Sequence, residues 1–466
     1  MATLKFFGAT GQVTGSCYLL ETRSGGKILL DCGLFQGTKE REKQNEMPFP
    51  FKPADIDAVV LSHAHLDHSG RLPRLVHGGF KGNIYLTQGS DSLLDLMLKD
   101  AAYLHARDIE WENKRRRRAG KKLLEPLYSL EDVEETLQFR RDTPYNEQKE
   151  ILPGVNLIFH DAGHILGSAI VEIRIREKGS DRTLVFSGDL GNPESPLLPD
   201  PKVLTESDVL LLESTYGDRD HRPLEETLDE FREILKKAAD NGGNVIIPAF
   251  AVGRTQDLIY WLGKFYHQGE LPQSQVYLDS PMAISASKIY ARHKHLFNLD
   301  DPKFLRVAAN GWQAWLPNLV YSETPEESMR INRLTGGVVI IAGSGMCNGG
   351  RVRHHLKNNL WRRNAQIVIA GFQAQGTLGR KIVDGNKNIT ILGSEIRVAA
   401  KIHTLGALSA HADQGQLIKW AEAFSDPKPR LYLVHGEQSA SLSLQSYFRR
   451  EQWRVKIPEI GETITI

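Results

Sequence analysis

Short apolar runs punctuate this chain, and longer stretches with helical spacing lie between several of them. The runs Lys27–Asp31, Ala58–Leu61, Leu184–Phe186, Val209–Leu212, Val245–Ile247, Val338–Ile341, Ile367–Ala370 and Leu431–Val434 have the length and β-rich make-up of buried strands. Leu224–Ala239, Thr255–Tyr266 and Gln414–Phe424 carry apolar residues at helical spacing. This alternation predicts an α/β fold in layers. The amino end, around Lys5, reads as a further strand, because charge and glycine interrupt it too early for a signal peptide.

Four of the predicted strands run into a polar residue that can bind metal or move a proton. Leu61 leads to His63, Phe186 to Asp189, Leu212 to Glu213 and Val434 to His435. In α/β sheets the working site tends to lie beyond the carboxyl ends of the strands, so these endings are expected to converge.

Composition narrows the function classes. The 466 residues are enough for more than one domain. Lys and Arg number 58 against 57 Asp and Glu, a formal charge of +1, so an electrostatic partner must be met by a local patch. The apolar runs fall short of the roughly 18 residues that a membrane helix needs. Cys17, Cys32 and Cys347 are too scattered for a disulfide framework and read as reduced thiols of a cytoplasmic protein.

The densest chemistry is Ser62–Gly70, S-H-A-H-L-D-H-S-G, with His63, His65, Asp67 and His68 in six positions. On an extended loop His63 and His65 point to one side, and a turn at Leu66 swings Asp67 and His68 to another. That arrangement suits two metal ions. Imidazole nitrogen and carboxylate oxygen are ligands for zinc, manganese or iron, and the absence of cysteine argues against a closed structural zinc site. Four ligands cannot complete two sites, and the candidates for the rest are His164, Asp189, His411 and His435. His77, His160, His354, His355 and His403 read as ordinary surface or core histidines.

These motifs together resemble the metallo-β-lactamase superfamily: G-A-T-G-Q-V-T-G-S-C, L-L-D-C-G with Asp31, the His63–His68 cluster, A-G-H-I-L-G-S-A and S-G-D. E-S-T-Y-G, P-A-F-A-V-G-R, S-G-M-C-N-G-G-R, S-A-H-A-D and V-H-G-E-Q look like its β-CASP branch, close to RNA-processing nucleases. The resemblance implies a four-layer αββα metallo-β-lactamase domain with an inserted α/β β-CASP domain. The expected limits are 1–214 for the first part, 215–402 for the insertion and 403–466 for the returning part.

The same resemblance implies one metal held by His63, His65, His164 and Asp189, and a second by Asp67, His68, Asp189 and His435. Asp31 would orient a metal-binding histidine by accepting its free ring N–H. Asp67, Glu213 and His411 count as catalytic, His411 being the general acid held by Glu213. The expected cofactor is two Zn²⁺ per chain, with Mn²⁺ as the alternative in use. The expected reaction is hydrolysis of single-stranded RNA by a hydroxide shared between the metals, leaving 5′-phosphate and 3′-hydroxyl ends. Endonuclease action is expected, 5′ exonuclease action and a homodimer are left open, and no membrane is involved.

Two further features bear on substrate. The glycine-rich segment Gly343–Arg351 follows a strand and precedes a helical pattern, a geometry that offers backbone N–H groups to an anion. Ser344, Gly345 and Arg351 there, with Arg254, are the candidate phosphate contacts, although a packing turn explains the glycines as well. Lys114–Arg118, followed by Lys121 and Lys122, is the strongest local charge, read first as a solvated helix face. The competing functions are a DNA nuclease on the same fold, a small-molecule hydrolase and a non-catalytic RNA-binding subunit.

Overall fold

The computed structural model describes residues 2–177, 180–193, 195–298, 301–308 and 310–466. The chain divides into two compact units, one made of Met1–Gly191, Asp200–Asp220 and His411–Ile466, the other of Asn192–Pro199 and His221–Ala410.

Among the described residues, the first unit holds two seven-stranded sheets. One runs in the order Thr463–Thr465, Thr3–Phe6, Tyr18–Glu21, Lys27–Leu30, Ala58–Val60, Asn83–Leu86, Arg140–Asp142. The other runs Val455–Lys456, Arg430–Val434, Val209–Glu213, Ser180–Phe186, Ala169–Glu177, Val155–Asp161, Lys149–Leu152. Side chains alternate between the faces of a strand, and one set from each sheet forms a shared core. Leu4, Phe6, Tyr18, Leu30 and Val60 meet Phe159, Val171, Phe186, Leu211 and Val434 there.

The opposite faces carry helices. Val185, Leu210, Leu212, Leu431 and Leu433 pack with Leu417, Trp420, Leu444 and Phe448 of the helices Gln414–Glu422 and Gln438–Arg450. Asp413 caps the first of these, accepting from the Gln416 N–H while the Gln416 side chain accepts from Asp413, a capping box worth about 1 kcal/mol. Beyond the first sheet, Leu72–His77, Gln88–Arg118 and Leu130–Gln138 bury their own apolar residues. The layer order is αββα.

Val209–Glu213 explains why so apolar a run is a strand. It lies parallel to Ser180–Phe186 on one side and to Arg430–Val434 on the other, and all five residues are buried. Such a strand has no wet face to alternate against.

The second unit is built on a six-stranded parallel sheet, ordered Leu319–Tyr321, Gln275–Leu278, Val338–Ala342, Val245–Pro248, Gln366–Ile369, Lys401–Thr404. Helix Leu224–Asp240 belongs to it and buries Leu228, Phe231, Ile234, Leu235 and Ala238, a single stripe at helical spacing. Lys401–Thr404 closes one edge of the sheet, and the unit runs to Ala410.

Candidate metal centre

The centre lies within the first unit, at the carboxyl ends of its strands. Ala58–Val60 ends just before Ser62 and His63; the chain then turns into the short helix Leu66–Ser69, with His65 at its cap. The turn puts Asp67 and His68 into a second group of donor atoms, with the His68 ring still 4.1 Å from that of His63. Gly33 permits this fold, since a Cβ there would stand 1.6 Å from the Asp67 carbonyl oxygen. Gly191 does the same for the loop of His164, where an added Cβ would meet the Gly163 carbonyl oxygen at 2.0 Å.

Asp189 joins two sets of donor atoms. Its Oδ2 lies 3.5 Å from His63 Nε2 and 3.6 Å from His164 Nε2. His65 Nδ1 completes that set, 3.1 Å from His63 Nε2 and 3.3 Å from His164 Nε2. Oδ1 of Asp189 faces the other way, 3.4 Å from His68 Nε2. His68 Nε2 is 3.2 Å from His435 Nε2, which is 3.5 Å from Asp67 Oδ2.

Both sets fit a metal ion. Ligand bonds of about 2.0–2.1 Å in a tetrahedron put the donor atoms about 3.3 Å apart, close to the distances of the pairs above, and each whole set lies within 4.8 Å. Asp189 Oδ1 is buried and receives no hydrogen bond, a costly state that a cation relieves.

The electrostatics agree. Burial holds His63 well below the usual imidazole range and His65 down to about 4, leaving neutral rings able to ligate. Burial pushes against the charge of Asp189, yet His435, His68 and His63 hold it well below the carboxylate range. At Asp67 burial is likewise outweighed, by the hydrogen bond from His435.

Asp31 follows Lys27–Leu30 and accepts from His68 Nδ1 at 2.6 Å and from the Ser62 N–H at 2.8 Å. Ser16 and Ser62 hydroxyls donate to the same carboxylate at 3.0 and 2.9 Å. Sequence reasoning misses these serines, and it misses Thr215 beside His435 Nδ1 at 3.3 Å. Ser62 adjoins the cluster and Thr215 adjoins Glu213, which is the one signal that could have found them. Asp31 and His435 both have positive φ, 57° and 49°, conformations that residues other than glycine adopt at a cost.

Glu213 ends its strand fully buried, and its Oε1 accepts the Leu190 N–H at 2.6 Å. His411 stands with Nδ1 3.3 Å from Glu213, its ring 4.5 Å from that of His164. Burial works against a charge on His411, but Glu213 outweighs it and the pKa rises.

The four phosphate candidates lie in the second unit. The fork expected of Arg351 is already spent: Nη1 donates to Asp279 at 2.7 Å and to the Ser322 carbonyl, and Nη2 to the Glu323 carbonyl. It shares the buried Asp279 with His355 and Ser328. Arg254 is also buried, 3.1 Å from Asp257. The Ser344 hydroxyl accepts the Gly349 N–H within its own loop, and a Cβ on Gly345 would lie 2.5 Å from the Phe250 ring. The glycines of this segment therefore serve a packed turn. His355 is buried against Asp279 and His160 against Glu172.

Comparison with known proteins accords with this geometry. Residues 10–249 match the metallo-beta-lactamase superfamily, 255–382 the Beta-Casp domain, and 395–458 the Zn-dependent metallo-hydrolase RNA specificity domain. Ribonuclease TTHA0252 of Thermus thermophilus is 40% identical over 99% of both chains. An RNase J-like protein of Methanocaldococcus jannaschii is 31% identical over 98% of this chain and 97% of its own. The transcription termination factor FttA of Methanosarcina mazei is 31% identical over 94% of this chain and 67% of its own. A protein of unknown function from Enterococcus faecalis V583, solved by crystallography, aligns over 100% of both chains with a TM-score of 0.54 and 13% identity, a likeness of fold alone. With matches across almost its whole length, the chain belongs to the metallo-beta-lactamase superfamily and, within it, to the β-CASP family of RNA-processing nucleases.

Proposed function

We propose that this chain is a two-metal ribonuclease that cleaves single-stranded RNA and leaves 5′-phosphate and 3′-hydroxyl ends. The observation that carries the reading is the division of Asp189 between two donor sets, Oδ2 toward His63 and His164, Oδ1 toward His68. His63, His65, His164 and Asp189 would hold one ion, and Asp67, His68, Asp189 and His435 the other. A pair of divalent ions supplies a nucleophile at neutral pH and stabilises charge on the phosphoryl oxygens.

The protein's own groups do the rest. Asp31 fixes the ring of His68 so that Nε2 points at the site. Glu213, held by the Leu190 N–H, takes Nδ1 of His411, and Nε2 is then the atom that delivers a proton to the departing 3′ oxygen. Glu213 raises the pKa of His411, which favours the protonated ring that this role needs. The ions these residues would hold are Zn²⁺, with Mn²⁺ as the alternative in use. The three cysteines are free and buried, which suits a cytoplasmic enzyme.

Linear RNA labelled at one end and bearing a 5′ phosphate or a 5′ triphosphate, together with an internally labelled circular RNA, tests the reading. Cleavage of the circle establishes endonuclease action; release of mononucleotides from the 5′-phosphate substrate alone establishes an exonuclease. No cleavage of any RNA by metal-loaded protein, with DNA of the same sequence cut instead, overturns the ribonuclease reading.

A further inference from the structure

The helix Gln88–Arg118 is 31 residues long, so at 1.5 Å per residue it extends about 45 Å. Its start is fixed beside the metal centre: the Thr87 and Ser90 hydroxyls donate to the carbonyl of Gly167, in the loop that carries His164. Its far half buries no residue fully, although His105, Ile109 and Asn113 are half-buried. From residue 103 to residue 127 no residue is buried, although 103–118 is continuous helix. Burial of an apolar face usually supplies most of a helix's stability in a protein, and here that contribution is small.

The projecting half is nevertheless built. Asn113 clamps the returning chain, donating to the Leu124 carbonyl and accepting the Leu124 N–H, both at 2.8 Å. Arg116 Nε donates to the Lys122 carbonyl at 2.6 Å, which brings Lys121 and Lys122 back beside the arginine run. Lys114 pairs with Glu110 and Arg115 with Glu112.

Its surface is unusual in two ways. Residues 103–124 hold eight Lys and Arg against three Asp and Glu, in a chain whose overall charge is +1. Arg117, Arg118, Lys121 and Lys122 form no ion pair among the described residues. Tyr103, Arg107, Trp111 and Arg115 follow one another at four-residue spacing, so each lies beside the next in a row that winds slowly along the helix. The two aromatic rings are 60% and 62% exposed, with Arg107 5.6 Å from the Tyr103 ring and Arg115 5.1 Å from that of Trp111.

Exposed rings interleaved with guanidinium groups, ending in unpaired cations, are what a single-stranded nucleic acid needs: stacking surfaces for bases and charge for phosphates. We propose that residues 103–124 form an arm that binds single-stranded RNA at a distance from the metal centre, holding a remote part of the substrate being cleaved. The proposal rests on the ribonuclease reading. Leu104, Leu123 and Leu124 are also exposed and would suit a lipid surface, but the aromatic–arginine alternation favours the nucleic acid.

Length makes the arm testable. A stacked strand at about 3.4 Å per nucleotide needs about 13 nucleotides to run the helix, so RNA of about 6 nucleotides reaches the centre alone and RNA of about 30 reaches both. The variant Arg117→Gln/Arg118→Gln/Lys121→Gln/Lys122→Gln changes only exposed side chains. Expected is a fall of about tenfold or more in kcat/KM on the long RNA with the short RNA unchanged. Anisotropy of a long phosphorothioate RNA, which resists hydrolysis, should show a salt slope smaller by about 3, from four lost phosphate contacts at about 0.7 each. Trp111→Ala should weaken the same binding without changing the slope.

Equal rates on long RNA, or an equal fall on both lengths, overturns the arm. If wild-type protein cleaves neither RNA, the ribonuclease reading fails instead, and the phosphorothioate slope still decides the arm: an unchanged slope overturns it. Loss of sedimentation with phosphatidylcholine–phosphatidylglycerol vesicles while the RNA slope persists overturns it in favour of a membrane.

Discussion

His68 Nδ1 lies 2.6 Å from Asp31 Oδ2, and both side chains are fully buried. Asp31 therefore sets which ring nitrogen of His68 faces Asp189. Asp31→Asn tolerates the positive φ at this position while removing the charge that holds the ring. It should leave the protein folded and weaken the ion held by His68, Asp67 and His435 by about 10- to 100-fold. Equilibrium dialysis against zinc measures this; an unchanged affinity would show that a neutral acceptor at position 31 orients His68 as well as the carboxylate does.

Metal stoichiometry follows from the two faces of Asp189. Wild-type protein loaded with zinc and freed of excess should carry two equivalents by elemental analysis. His435→Ala should lose one, and Asp189→Ala should weaken both, because each donor set takes one oxygen from that carboxylate. One equivalent or less in the wild type would break the two-site reading. Chelation should also lower thermal stability, since ions that bind only the folded state stabilise it.

Much of this centre is legible in the amino-acid sequence, and the reason is local. His63, His65, Asp67 and His68 fall within six residues, and Asp189, Glu213 and His435 each stand at or just after an apolar strand. Parallel pairing of Val209–Glu213 with its two neighbours then aligns those endings, so strand prediction carries site prediction with it. Arg351 shows where such reading stops. Its helix-start position suggests a phosphate contact, but its partner Asp279 is 72 residues earlier, and only the parallel sheet of the second unit brings them together. The arm is legible as charge alone: the lack of any buried helix residue beyond Ala102 and the exposure of Trp111 are properties of the fold.

Asp279 offers a pH signature in the second unit. Burial pushes its pKa up, but hydrogen bonds from His355 and Ser328 and the pairing with Arg351 bring it down to about 2. A carboxylate with a lowered folded pKa contributes stability above its unfolded value, near 4, and loses it as pH falls toward about 2. A shift of nearly two units is worth about 2 kcal/mol. Asp279→Asn should therefore be less stable than wild type at neutral pH by about that amount or more, with the difference shrinking below about pH 4. Urea midpoints measured at both pH values check it, and a constant difference would assign the loss to packing.

His411 and His435 separate a proton donor from a metal ligand. Both are histidines of the late chain, their rings 6.2 Å apart, yet His435 Nε2 faces His68 and Asp67 whereas His411 Nδ1 faces Glu213. His411→Ala should keep both metals and lose about 10²- to 10⁴-fold in cleavage rate, the usual contribution of general acid catalysis. A substrate whose leaving group is sulfur needs little protonation, so a 3′-phosphorothiolate RNA should restore His411→Ala far more than His435→Ala. Equal restoration of both variants, or loss of metal from His411→Ala, would mean that ligand and acid have been exchanged.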